Sequence, residues 1–333
     1  VRAAATGIGS LPYDDIDEAM RLVLGELPDF PHLPELPSRG VGADLVGRTG
    51  GAVLAGLNVD LQPAGWRIVD RPSHDQNRAR ELLSRDLDAL EIHGHEYGGP
   101  LKLQLCGPWT LAASLELSRG DKVLGDRGAV RDLTASLAEG AAEHIAEVSK
   151  RVPGAELVLQ LDEPALPMVL AGHVPTASGL RAFAPVDASA ARDALDVVLD
   201  GIRDGGARTA LHCCAAEPPY SLLGRADAVS VDASLIRDKD HDALGGLVES
   251  GRELWLGLVP SLGPGVPPTV KDLAEPARRL WHRLGFPPER LSEVVVVTPT
   301  CGLAGASSGW VRTALGLCRR VAQVLDESPE EPR

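Results

Sequence analysis

Aromatic residues are scarce in this chain. Three Phe, three Tyr and five Trp among 333 residues leave most of the core packing to Leu, Val and Ala. No stretch approaches eighteen uninterrupted apolar residues, so no membrane-crossing helix is expected. Cations are also in deficit: 33 Lys and Arg face 47 Asp and Glu, a formal charge of −14. With no basic run anywhere, neither nucleic acid nor an anionic membrane is an expected partner. Cysteines number only five, at irregular spacing, and a disulfide framework is not expected in a chain with a core this large. Val1–Thr6 carry no apolar leader segment. These absences point to a soluble cytoplasmic protein.

What is present is alternation. Short apolar, β-rich runs at Ala4–Ser10, about His32–Leu36, Leu101–Cys106, Leu157–Asp162, Thr209–Cys213, Ala228–Asp232, Leu254–Val259 and Val294–Thr298 read as strands. Between several of them lie amphipathic helical patterns. In one, Val130, Leu133, Leu137, Ala141, Ile145 and Val148 form a single apolar stripe. Val294-Val295-Val296-Val297 is apolar on both faces, as parallel strands covered by helices are. Eight such strands predict an α/β fold, a single (β/α)8 TIM barrel over residues 1–327, with a frayed tail over 328–333. Pro31, Pro34 and Pro37 make the second strand irregular. Leu57–Pro72 fits neither period and reads as an inserted hairpin or lid. His93, His95 and His144 are expected to face solvent.

In a parallel barrel the chemistry gathers at the C-terminal strand ends. Strand five ends His212-Cys213-Cys214, and strand eight is followed by Thr300-Cys301-Gly302. Because side chains alternate along a strand, His212 and Cys214 share a face and Cys213 points away. With Cys301, and a carboxylate from Asp232 on the next strand, they form a candidate zinc site. Two thiolates and a carboxylate against a dication leave about one net negative charge, which favours a reactive bound thiolate over hydrolysis. The bland alternative is a buried histidine and two packed thiols. Asp162 is placed to face the barrel mouth and pair with a substrate ammonium. Asp162 or Glu163 reads equally as an N-cap or first-turn acid of the following helix. Gly9-Ser10 suits close backbone approach to a ligand, and Pro108-Trp109 supplies an apolar wall or simply packs.

The strand ends Ile8-Gly9-Ser10-Leu11-Pro12, Gly107-Pro108-Trp109-Thr110, Gln160-Leu161-Asp162-Glu163-Pro164-Ala165-Leu166, His212-Cys213-Cys214 and Cys301-Gly302-Leu303 resemble the catalytic barrel of cobalamin-independent methionine synthase. The motifs run in the same order across nearly the whole chain. The resemblance implies a barrel of the methionine synthase/uroporphyrinogen decarboxylase type and a zinc-dependent methyl transfer to the thiol of homocysteine. It implies His212, Cys214 and Cys301 as zinc ligands, with an acidic ligand at Asp232. Ile8, Ser10, Glu35 and Asp162 would hold the amino-acid end of homocysteine, Asp162 being the catalytic carboxylate.

Three departures bear on the methyl donor. The resemblance implies a second, N-terminal barrel in full-length members, and this sequence reads as a short, core-type form. The family's usual glutamate stands here as Asp232. The family's histidine after strand seven is missing from Gly257-Leu258-Val259-Pro260-Ser261-Leu262, and its basic residues after Cys-Gly-Leu are replaced by Ala304-Gly305-Ala306. The expected donor is therefore a methylcobalamin-bearing corrinoid protein rather than methyltetrahydrofolate, and no residue is assigned to bind it. The competing readings are a zinc thiol alkyltransferase of the coenzyme M or epoxide type, a metal-free decarboxylase-like relative, and a non-catalytic zinc-binding barrel.

Overall fold

The computed structural model of the protein describes residues 4–330. A two-stranded antiparallel hairpin comes first, β1 (Asn58–Gln62) with β2 (Gly65–Val69). Six parallel strands follow: β3 (Pro100–Cys106), β4 (Glu156–Asp162), β5 (Arg208–Cys213), β6 (Ala228–Asp232), β7 (Glu253–Val259) and β8 (Val295–Pro299). They pair strictly in chain order. Each lies within a residue or two of its expected position, and the 57–72 segment forms the anticipated hairpin. That hairpin is tied down: Glu116 N–H donates to the Trp66 carbonyl, and Arg67 pairs with the Glu116 carboxylate at 2.6 Å.

The two N-terminal strands expected at 4–10 and 32–36 do not form as regular strands. Isolated parallel bridges stand in their place, Ala5 with Val297, Ser10 with Glu35, and His32 with Lys102. Three prolines and Gly7 and Gly9 explain this. Proline offers no ladder donor, and Gly9, at φ 156°, sits where its missing Cβ admits the Gln104 side chain. The bridged segments still carry backbone bonds from Thr6 N–H to Val297 and from Leu33 N–H to Lys102. They therefore run between β8 and β3, the two ends of the six-stranded sheet.

The interior changes character along the strands. At the N-terminal end Val158, Ala210, Ala228, Trp255 and Val296 pack with Ala4 and Phe30 as one apolar cluster, Phe30 meeting Trp255 edge-on at 5.4 Å. Two residues further on, strand alternation brings Gln160, His212, Ser230 and Thr298 to the same face, and the next step brings Asp162, Cys214 and Asp232. An apolar floor thus lies under a polar upper half, and all four of the first set are buried. Outside, the helix Arg127–Arg151 buries Leu133, Leu137, Ala141, Ile145 and Val148 as its stripe predicts. His144 joins them at 7% exposure, contrary to the expected exposed flank, because it stands three residues after Ala141 and four before Val148 on the same buried face, and burial pushes its pKa down to about 3. His93 is half-buried against Asp17, with Nε2 2.6 Å from the carboxylate, while His95 is exposed as anticipated. Of the expected frayed tail, residues 331–333 lie outside the described residues; the last helix is Ser308–Glu327.

One ion-pair cluster anchors the loop that follows the second bridged segment. Asp86, fully buried on the helix His74–Gly94, accepts from Arg48 and pairs with Arg39 at 2.7 Å. Removing one member of a buried pair strands the other's charge. Asp86→Ala is expected to cost about 3–5 kcal/mol in denaturant unfolding, and a loss below about 1 kcal/mol would contradict this anchoring.

Candidate metal centre and amino-acid pocket

His212 is the penultimate residue of β5 and is 3% exposed. Its Nδ1 lies 2.8 Å from the Ser230 hydroxyl on β6, and its Nε2 is buried with no hydrogen-bond partner. Cys214 follows two residues later, and Cys301 lies in the loop after β8. The ligand atoms of His212, Cys214 and Cys301 all fall within 4.8 Å of one another. The two sulfurs are 3.0 Å apart, too far for a disulfide of about 2.05 Å. A hydrogen bond from Cys214, reinforced by His212, favours the thiolate at Cys301, while the Cys214 thiol is pushed up by that same sharing. Cys213 points away into the core, where burial raises its thiol to about 12. One buried, partnerless imidazole nitrogen beside two sulfurs, one favoured as thiolate, is a donor set that fits a thiophilic ion.

Asp232 is not part of that cluster. It ends β6 half-exposed, and its Oδ1 accepts from the Ser234 N–H at 2.9 Å and hydroxyl at 2.7 Å. The short side chain caps the turn Ala233–Leu235 instead of reaching toward the sulfurs. Of the four expected ligands the fold therefore gathers three.

The four residues expected at the amino-acid end approach one another from three elements. The bridge between Ser10 and Glu35 brings the first two segments together. Asp162 ends β4 in register with His212 on one side and Cys106 on the other. Gly302 allows Ser10 to sit close to Cys301, since a Cβ there would lie 2.1 Å from the Ser10 hydroxyl. Leu303 N–H also donates to the Ser10 carbonyl at 2.8 Å. Asp162 accepts from the Gln160 amide at 2.6 Å; burial pushes its pKa up to about 6, against the opposing pull of His212 and Lys102. Glu35 is 3% exposed and raised to about 7 by burial, with Oε1 unpartnered. The Ile8 carbonyl is already engaged, accepting from Lys102 Nζ at 2.7 Å and Gln160 Nε2 at 3.0 Å.

Glu163 serves neither pocket nor its own following helix. Its carboxylate accepts from the backbone N–H groups of Trp109 (2.9 Å) and Thr110 (2.8 Å) and from the Thr110 hydroxyl (2.6 Å). It thus caps the adjacent helix Pro108–Ser114, whose own N-cap, Gly107, offers no side chain. Trp109 packs, its indole N–H bonded to the Ala191 carbonyl at 3.0 Å. Lys102 went unnoticed in the sequence, although it is fully buried directly beneath the acids. The signal was present: in Leu101-Lys102-Leu103-Gln104-Leu105, two polar side chains occupy one face of a strand that is otherwise apolar.

The elevated Glu35 has a consequence for stability. A carboxyl raised on folding contributes stability below its unfolded pKa of about 4.3, and that contribution is lost as pH rises through about 7. Glu35→Gln abolishes this loss. Relative to the parent, the variant should gain up to about 3 kcal/mol between about pH 5 and about pH 8, read by denaturant titration at each pH. An unchanged difference between the two conditions would contradict the buried, ionising Glu35.

Comparison with known proteins follows the same lines. Residues 100–324, more than half of the chain, match the family model described as cobalamin-independent synthase, catalytic domain. No curated protein sequence matches. Among solved structures, a B12-independent methionine synthase from Shewanella sp. W3-18-1, in complex with selenomethionine, is similar over 98% of each chain, at 14% identity and a TM-score of 0.63. At that identity the likeness speaks for the fold alone. An intracellular xylanase from Thermoanaerobacterium saccharolyticum is similar over 90% of this chain and 86% of its own, at 10% identity, but its TM-score of 0.42 carries no argument. On the family match, the chain belongs to the cobalamin-independent synthase catalytic-domain family.

Proposed function

We propose that this chain is a zinc-dependent methyltransferase that moves a methyl group onto the thiol of homocysteine, giving methionine. Membership of the cobalamin-independent synthase family supports methionine synthase-like methyl transfer. The observation that carries the metal is the buried, partnerless Nε2 of His212 facing two cysteine sulfurs. We read the two bridged N-terminal segments as the remaining staves of a closed (β/α)8 barrel, with residues up to Glu327 as one catalytic unit. Among the described residues no helix is long and apolar enough to cross a membrane. That absence and the acidic charge accord with a cytoplasmic enzyme acting on small molecules.

In this reading His212, Cys214 and Cys301 would hold zinc, with Asp232, now bonded to Ser234, as the further acidic candidate. When bound, zinc would supply a lowered pKa for an incoming thiol and so a nucleophilic thiolate. The chain's own side chains do the rest. Ser230 fixes the His212 ring through Nδ1 and so aims Nε2 at the two sulfurs. Asp162, held in place by Gln160, and Glu35 receive the substrate ammonium. Ser10 hydrogen-bonds the amino-acid end beside Cys301. The thiolate sulfur forms a bond to the methyl carbon, and the donor keeps the electron pair of the broken bond.

The donor is read as a methylcobalamin-bearing corrinoid protein rather than methyltetrahydrofolate. A cobalt leaving group needs no proton, and the loop after β7 carries no histidine to supply one. A second reading, another zinc thiol alkyltransferase, would share the cysteines but have no use for two buried acids beside Ser10.

Homocysteine methylation, followed with each donor in turn, tests the proposal. Methylcobalamin is expected to support turnover; Cys301→Ala and His212→Ala are expected to lose bound zinc and at least about a hundredfold in kcat/KM. Asp162→Asn should raise the KM for homocysteine. Efficient turnover with the folate alone would overturn the donor assignment. Failure to methylate homocysteine from either donor, with zinc bound, would overturn the reaction.

A further inference from the structure

Three buried polar side chains lie beneath the amino-acid pocket, and apart from the bond of Gln160 to Asp162 none has a part in the chemistry above, yet each reaches one of the two irregular segments. Lys102 Nζ donates to the Ile8 carbonyl at 2.7 Å and to the Gln104 side-chain oxygen at 3.1 Å. Gln104 Nε2 in turn donates to the Leu33 carbonyl. Gln160 Nε2 divides its donation between the Ile8 carbonyl at 3.0 Å and Asp162 Oδ1 at 2.6 Å. Lys102, Gln104 and Gln160 are each no more than 2% exposed.

This arrangement is costly. A lysine ammonium removed from water carries a desolvation penalty of several kcal/mol, recovered only through well-placed partners. An aliphatic side chain would fill the same volume without it. What the lysine supplies is a cation near Glu35 and Asp162, both of which feel its charge, and a strong charge-assisted bond to one carbonyl. That carbonyl belongs to Ile8, two residues before Ser10. Leu33 stands two residues before Glu35. In a regular strand the ladder hydrogen bonds would hold these residues in register. Here the ladder is reduced to isolated bridges, and the side-chain donors reach the backbone two residues before Ser10 and two before Glu35.

We propose that Lys102, Gln104 and Gln160 form a clamp that positions the amino-acid half of the site, setting selectivity for a thiol that bears an α-amino group. The clamp acts through backbone carbonyls and Asp162 and touches no substrate atom, so its members are positioning residues. Lys102 and Gln160 converge on a single oxygen. Loss of either loosens Ile8–Ser10, and loss of Gln160 also frees Asp162. The three metal-binding side chains stand on β5 and its end and in the loop after β8, and none of them is bonded to Lys102, Gln104 or Gln160, so zinc should be retained when the clamp is loosened.

This inference rests on homocysteine being the substrate, and its test separates the two claims. The zinc-loaded full chain, as the parent and as Lys102→Met and Gln160→Leu variants, is titrated with homocysteine and with 4-mercaptobutanoate. The second thiol has the same length but lacks the amino group. The parent should bind homocysteine far more tightly than the desamino thiol. Each variant should lose about tenfold or more in homocysteine affinity, hold the desamino thiol within about twofold, and retain its zinc. Equal losses for both thiols would mean a merely structural role and would overturn the clamp, as would homocysteine affinity unchanged in both variants. A parent with no preference for homocysteine would overturn the substrate assignment itself, and the clamp with it.

Discussion

A buried polar atom calls for a partner, and among the described residues His212 Nε2 is an unpartnered one that stands beside two cysteine sulfurs. The ring is not free to turn away, because Ser230 holds its opposite nitrogen from the neighbouring strand. Two sulfurs stand in front of it, one of them favoured as thiolate. A cation there would complete the set, and other polar groups at the strand ends stand close to that point. Asp162 is its neighbour in register on β4, and Ser10 is brought to it by the absent side chain of Gly302.

The division of the interior explains how one sheet serves both folding and chemistry. Near the N-terminal ends of β4 to β8 the inward side chains are mostly small or aromatic and pack as an apolar cluster, with Lys102 of β3 standing beside Val158 as the polar exception. The same strands, two and four residues further on, present amide, imidazole, hydroxyl, carboxylate and thiol. Stability is supplied at one end, and the other end can carry groups that are poor packers. Glu163 shows the economy of this arrangement, since a carboxylate beside the pocket caps the neighbouring helix and holds the β3 and β4 ends together.

Much of this was legible in the sequence, and the reasons are local. Six strands and the principal helices announced themselves because parallel strands buried on both faces read as short apolar runs. The pairing of His212 with Cys214 followed from strand alternation, and the distant Cys301 from its place after another strand. What failed depended on partners remote in sequence. The first two strands dissolve into bridges because proline and glycine remove ladder donors and side chains, and the substitute donors come from Lys102, Gln104 and Gln160 on other strands. Glu163 looked like a cap for its own helix, whereas the empty N-cap it fills belongs to the helix after β3. His144 stands three residues after Ala141 and four before Val148, on the buried stripe itself, although its polar type suggested an exposed flank.

Zinc X-ray absorption on the purified protein, with and without homocysteine, tests the central claim most directly. The account predicts zinc bound through two sulfurs and at least one nitrogen, with a third sulfur appearing when homocysteine is added. Zinc with an unchanged sulfur count in the presence of the thiol, or a protein that retains no zinc after reconstitution, would contradict it.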